Sequence, residues 1–254
     1  MIETQGLRKV FSSRKQGEKV ALAHLDLHCP TGAVYALLGP NGAGKTTCLR
    51  ILSTLLEPTA GEALVGGYPL RTHKDEIRRL IGVVSYETGV YERMTPREIA
   101  TYFGRLNDLD ERVLKLNLER LLATLHMEAF ADERTEHFST GMRQKTVLLR
   151  ALITDPTILL FDEPTAGLDL LTAKSVTDYI RWLRQEGKTI LFSTHILWEA
   201  EKLADTIGII HQGHLIAEGS LGVLRAQTGK ADLEDIFFSL VTLPEEEEPI
   251  APSS

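Results

Sequence analysis

The chain of 254 residues is 43% hydrophobic, enough to bury a substantial core as one large α/β domain or one domain with a sizeable insertion. Glu245 to Glu248 supply −4 of its formal charge of −7, leaving −3 for the rest, so no basic excess exists to neutralise phosphates and nucleic acid is not expected as a partner. No apolar run approaches the length of about 20 residues that a spanning helix needs, the start MIETQGLRKVF lacks a signal-peptide pattern, and Cys29 and Cys48 make neither a disulfide framework nor a metal site. The expectation is a cytoplasmic chain with both cysteines buried as small apolar residues.

From Ile2 to Leu27 the pattern reads as two strands joined by the polar turn SSRKQGEK, Ser12 to Lys19. Phe11 precedes that turn; an aromatic there is a core residue or a platform for a nucleobase, and its position alone favours core. AVYALL (Ala33 to Leu38) predicts a buried strand and TTCLRILSTLL (Thr46 to Leu56) a helix. Between them GPNGAGKTT fits GxxxxGK[ST], with Gly39, Gly44, Lys45 and Thr46 in the fixed places. Phosphate oxygens need many N–H donors converging at short range, and glycines allow that approach because they carry no Cβ. Gly39, Pro40, Asn41, Gly42, Ala43, Gly44, Lys45, Thr46 and Thr47 are therefore the candidate phosphate cradle. Lys45 would reach the β- and γ-phosphates, and the Thr46 hydroxyl would ligate Mg²⁺. Kinases, GTPases and transport ATPases all use such a loop.

Glu57 to Gly67 reads as a turn and short strand, Lys74 to Leu80 as a polar helix, and Ile81 to Ser85 as a buried strand. Pro96 marks a helix start, with Thr95 as N-cap and Glu98 close behind. The helical pattern continues to about Arg134, predicting a subdomain, residues 96–152, inserted into the α/β core. TILLFDEP (Thr157 to Pro164) is a continuous apolar strand ending in two acids, as strands of a doubly covered parallel sheet are. A helix over Leu171 to Gln185, closed by Gly187, leads to the buried strand TILFSTH (Thr189 to His195). Thr206 to Ser220 reads as a hairpin around Gln212 and Gly213, followed by two short helices and a disordered acidic tail over 244–254.

Three strands thus carry polar residues at their carboxyl ends, where open parallel sheets bind ligands. Asp162 is placed to hold Mg²⁺ beside Thr46. Glu163, one residue on, can reach a water in line with the γ-phosphate and act as general base, or at least position that water. His195 offers a donor and an acceptor to hold phosphate and water in line. FSTGMRQK (Phe138 to Lys145) feeds a turn into a helix N-terminus, a second ready anion site. One ATP could use both devices only if the second came from another subunit.

From about Ile2 to Leu240 the chain resembles the ATP-binding subunit of an ABC transporter. GPNGAGKTT resembles Walker A, TILLFDEP Walker B with its catalytic glutamate, AGLD (Ala166 to Asp169) the D-loop and STH the histidine switch, while FSTGM stands in the place of the LSGGQ signature. The resemblance implies an α/β fold with a RecA-like P-loop NTPase core, a mostly parallel sheet, an N-terminal antiparallel β part and an inserted helical subdomain. It makes Phe11 the adenine-stacking aromatic. It further implies ATP and Mg²⁺ as cofactors, Glu163, His195 and Lys45 as the catalytic set, and a homodimer, or a pairing with a homologous ATPase subunit, that sandwiches two ATPs. Ser139 and Gly141 of one copy would face the γ-phosphate held by the other, with Asp169 at the same junction. A separate integral-membrane permease would hold the subunit at the inner face of the cell membrane.

Two departures stand out. The signature has Thr140 for its first glycine and Met142 for its glutamine, and Tyr86 or Glu87 stands where a glutamine follows the IGVVS strand. FSTGMRQK and ETGVYERMTPRE (Glu87 to Glu98) are similar to the NatA-type sodium-extrusion ATPases, and LEDIFFSL (Leu233 to Leu240) to the chain end of ABC-2 exporter ATPases. The expected function is export driven by ATP hydrolysis, with sodium as one cargo. The alternatives are a soluble non-transport ABC ATPase, which has no room here for a second ATPase unit or a long coiled coil, and a P-loop kinase or regulatory nucleotide sensor, which Glu163 and His195 argue against.

Overall fold

A computed structural model describes residues 1–13, 17–85 and 89–241. Tyr86, Glu87 and the acidic tail 244–254 lie outside the described residues. The long strand β1 (Ile2–Ser13) pairs antiparallel with β2 (Gly17–Leu22) at its end and with β3 (Leu27–Cys29) at its start. Strand β4 (Val34–Leu38) runs into the glycine loop and helix α1 (Lys45–Leu52). That helix stops four residues before the predicted end, because Thr54 turns left-handed at φ 64° and the Arg50 carbonyl takes the N–H groups of Leu55 and Leu56.

Strands β5 (Ala60–Val65) and β6 (Tyr68–Pro69) return to β1, making a five-stranded antiparallel sheet where the sequence predicted only a two-stranded N-terminal hairpin. Helix α2 (Lys74–Leu80) leads into β7 (Ile81–Ser85). Helix α3 (Pro96–Leu106) opens with a capping box, in which Thr95 Oγ1 accepts from Glu98 N and the Glu98 side chain accepts from Thr95 N. The helical run then breaks at Asp108, φ 56°, and restarts as α4 (Glu111–Thr124) with Asp110 as N-cap. A single 3₁₀ turn over Thr135–His137 precedes α5 (Thr140–Leu152).

Strand β8 (Ile158–Asp162), helix α6 (Leu170–Gln185), strand β9 (Thr189–Thr194) and helix α7 (Leu197–Leu203) follow. Strands β10 (Thr206–His211) and β11 (His214–Gly219) form the predicted hairpin; Gln212 at φ 47° and Gly213 at φ 81° both take the left-handed geometry of a tight two-residue turn. Helices α8 (Leu221–Thr228) and α9 (Leu233–Val241) end the described chain.

The central sheet has the order β11-β10-β4-β9-β8-β7, parallel except for β11 at its edge. Its continuous apolar strands follow from burial on both faces. Along β4, Val34, Ala36 and Leu38 join the core made with the helices, while Tyr35 and Leu37 join the core shared with α1 and the antiparallel sheet. Phe161 and Phe192 sit in register on β8 and β9, both fully buried; truncating either to alanine would cost about 3–5 kcal/mol. Cys29 and Cys48 are buried as expected, and burial pushes both thiols up to about 12. These two cores fix the strand ends, and with them the residues those ends carry.

Candidate functional site

The parallel register brings Leu37, Ser193 and Asp162 into one row across β4, β9 and β8. Immediately beyond that row the chain leaves the sheet as three polar segments. Gly39 N donates to the Thr194 carbonyl at 3.1 Å, and a Cβ on Gly39 would strike the Ile210 carbonyl. Gly44 lies at φ 112°, and a Cβ there would come within 2.6 Å of the Ala21 carbonyl; only glycine fits both positions. The hairpin tip buttresses the loop from below, since Gly213 N donates to the Ala43 carbonyl at 2.9 Å. Nothing in the local sequence of 212–213 signals that contact.

Lys45 opens α1 and is almost fully buried. Its Nζ donates to the carbonyls of Gly39 at 2.7 Å and Pro40 at 3.1 Å and pairs with Glu163 Oε1 at 3.0 Å. Thr46 Oγ1 donates to Asp162 Oδ1 at 3.1 Å, and Ser193 Oγ donates to the same oxygen at 2.6 Å. Asp162 thus presents a carboxylate beside a hydroxyl, the hard oxygen ligands that Mg²⁺ prefers; the residues fit that ion.

Glu163 leaves β8 at φ 50°, a left-handed geometry that costs a non-glycine residue about 1–3 kcal/mol. The turn aims its carboxylate back over the loop rather than along the sheet. There Oε1 meets Lys45 and Oε2 meets His195 Nδ1 at 2.7 Å. An ionised carboxylate only accepts, so the Nδ1–H tautomer of His195 donates. His195 lies just past the end of its predicted strand, which stops at Thr194. Ser193, not singled out in the sequence, ties the two acids together by donating to Asp162 and accepting from Glu163 N at 3.0 Å.

Phe11, Lys19 and Ala21 from the β1–β2 hairpin join Asn41, Gly42, Gly44, Lys45, Thr46, Thr47 and Glu163 around one cleft of about 260 Å³. Phe11 is 42% exposed, with Lys9 Nζ 5.2 Å from its ring centroid. The core placement that its position alone favoured does not hold: the strand ends in solvent, and the ring stands at the mouth of the cleft, where the family resemblance placed it.

Ser139, Gly141 and Asp169 do not line this cleft. Ser139 is exposed and caps α5, its Oγ accepting from Met142 N at 3.3 Å. Gly141 packs beside Thr172, on the first turn of α6. Asp169 caps α6, accepting from Thr172 Oγ1 at 2.7 Å and from Leu171 N at 3.0 Å. The Thr172 hydroxyl, with the helix N–H groups, holds the Asp169 carboxyl below the usual range. Two helix N-termini thus lie side by side with Leu170 and Leu171 beside them, 82% and 76% exposed.

A glycine loop between a buried parallel strand and a helix, with its lysine and threonine facing two strand-end acids, defines a P-loop NTPase. Residues 22–166 match the family described as ABC transporter. The chain is 41% identical over 94% of its length to the ABC transporter ATP-binding protein NatA of Bacillus subtilis (strain 168), covering 97% of that protein. It is 37% identical to the Nod factor export ATP-binding protein I of Rhizobium sp. (strain N33), over 86% of this chain and 70% of that one. A dimeric ATP-binding cassette solved in a post-hydrolysis state with ADP and Pi superposes with a TM-score of 0.76 at 25% identity, over 87% of this chain and 99% of the other. The chain belongs to the ABC transporter family as an ATP-binding subunit, and it is an ATPase. Among the described residues no helix is long and apolar enough to cross a membrane.

Proposed function

We propose that this subunit binds MgATP, pairs with a second copy or a homologous ATPase subunit around it, and hydrolyses it to drive a separate integral-membrane permease that exports its cargo. The observation that carries the reading is the convergence of Lys45 and His195 on the Glu163 carboxylate, beside Thr46 and Asp162, at the ends of three neighbouring strands. The loop amides and Lys45 hold the β- and γ-phosphates. Thr46 and Asp162 would hold Mg²⁺, which would neutralise charge developing on the phosphates. An incoming γ-phosphate competes for Lys45, and releasing Glu163 Oε1 from that ammonium leaves it able to accept a proton from the attacking water. His195 keeps the other oxygen in place. Phe11 stacks on the adenine at the cleft mouth.

Ser139 and Gly141, away from their own chain's cleft, complete the cleft of the partner copy, with Asp169 and the exposed Leu170 and Leu171 at the junction. The helical subdomain covers residues 96–152 within a domain of 1–243. The subunit works at the inner face of the cell membrane, held there by its permease. Export is supported by the similarity to the Nod factor export ATP-binding protein I, and sodium as cargo by the NatA-like stretches of the sequence alone. The test is Glu163→Gln in the full chain: MgATP binding persists, turnover collapses and an ATP-bound dimer accumulates on gel filtration. Wild-type hydrolysis by that variant would remove Glu163 from its assigned role.

A further inference from the structure

Glu199, on the first turn of α7, is 1% exposed, and its carboxylate spans two segments of the site. Oε2 accepts from Thr194 Oγ1 at 2.6 Å, and Oε1 accepts from Thr165 Oγ1. Thr194 immediately precedes His195, and Thr165 lies two residues beyond Glu163. An ionised carboxylate only accepts, so both hydroxyls donate to it, and Thr194 Oγ1 in addition accepts from Ile196 N at 2.9 Å. Pro164, between Glu163 and Thr165, accepts from the buried Gln144 of α5 at 3.4 Å.

A buried carboxylate is an expensive way to join two threonines, since removing a charge from water costs several kcal/mol. Burial pushes the Glu199 carboxyl above its ordinary range, against the pull of the two hydroxyl bonds. What the charge supplies is a pair of short, directional bonds roughly twice as strong as neutral ones. Those bonds tie the turn after β8 to the end of β9, the two segments whose side chains meet at the Glu163–His195 contact.

We propose that Glu199 is a positioning residue for ATP hydrolysis: by clamping Thr165 and Thr194 it holds the Glu163 carboxylate and the His195 ring in mutual register over the γ-phosphate. This rests on the roles proposed above for Glu163 and His195. Glu199 is buried and does not line the cleft, so it acts on the rate of the bound complex and not on nucleotide affinity.

The test measures kcat, KM, MgATP affinity by a fluorescent ATP analogue, and Tm for the full chain carrying Glu199→Gln, Thr165→Val or Thr165→Ser, with Glu163→Gln alongside. Misplacing a reacting group by a fraction of an ångström lowers kcat about tenfold or more, so Glu199→Gln and Thr165→Val are expected to show that loss with nucleotide affinity unchanged. Thr165→Ser, which keeps the hydroxyl, recovers most of it. In a His195→Ala background, Glu199→Gln costs less than it does alone, because only the Thr165 arm, which holds Glu163, is left to lose. Folded Glu199→Gln and Thr165→Val proteins with wild-type kcat, while Glu163→Gln is dead, would overturn this proposal alone. Losses of kcat, affinity and Tm in equal measure would make Glu199 merely structural and overturn it too. A wild-type rate in Glu163→Gln would remove the reading beneath it. Should Glu199→Gln fail to fold, Thr165→Val and its serine counterpart decide the question.

Discussion

The chain has two anion-ready devices, and they are built in opposite ways. The loop over 39–47 is supported on every side: its lysine is almost fully buried, its glycines are pressed against Ala21 and Ile210, and its two acids arrive together from the end of β8, with His195 coming from β9. The N-terminus of α5 stands open, with Ser139 exposed and bonded only within its own helix turn in the contacts it makes. One device is preorganised around its own lysine and acids; the other is an exposed helix start, which the proposed function assigns to the partner copy. On the function proposed above, a subunit so built holds ATP by itself, yet lacks one wall of the site.

That contrast ranks the expected effects of mutation. Glu163→Gln strikes the preorganised half where charge and strain meet. Steady-state ATPase assays should show kcat falling by about 10²–10⁴-fold, the worth of a positioned general base, with binding of a fluorescent ATP analogue kept. Gly44→Ala attacks the same half through the backbone, combining φ 112° with a Cβ crowding the Ala21 carbonyl. It should lower stability by about 1–3 kcal/mol in denaturant melts and weaken nucleotide binding. Ser139→Ala probes the open half; losing an N-cap should cost about 1 kcal/mol of stability and leave binding of nucleotide to the isolated subunit intact. Phe11→Ala is the mildest: stacking of about 0.5–1.5 kcal/mol should vanish from ATP affinity, while Tm holds because the ring is already exposed. Loss of nucleotide binding in Ser139→Ala, or a collapse of Tm in Phe11→Ala, would blur the contrast.

The same contrast explains what could be read from sequence. The supported half is written in short segments whose patterns are local: a glycine loop after an apolar strand, and strands that turn polar at one end. Asp162, Glu163 and His195 were legible because a doubly buried parallel strand leaves only its carboxyl end for polar chemistry. What joins those segments was not legible. Ser193 stood out only as part of a polar strand end and Glu199 carried no assignment; only the register of β8 with β9 and the packing of α7 place them against the acids. The hairpin tip at Gly213, supporting the loop from 170 residues downstream of Ala43, is likewise a long-range contact. So are the pairings of β1 with β5 and β3, which turned an expected hairpin into a five-stranded sheet. Phe11 shows the limit of local pattern for a related reason: an aromatic beside a polar turn looks like core by position alone, and only the family resemblance put it at the nucleotide, whereas β1 runs out past the core at its end.

The central claim is that the open half of one copy completes the supported half of another. It is tested by mixing two inactive full-length variants, Lys45→Ala and Ser139→Arg, and measuring ATP hydrolysis. Each alone lacks an intact composite site, but the mixed dimer has one, built from the loop of the Ser139→Arg copy and the α5 N-terminus of the Lys45→Ala copy. Hydrolysis that returns on mixing is the expected result. Hydrolysis that stays absent on mixing, or a Ser139→Arg protein that works at the wild-type rate by itself, would contradict it.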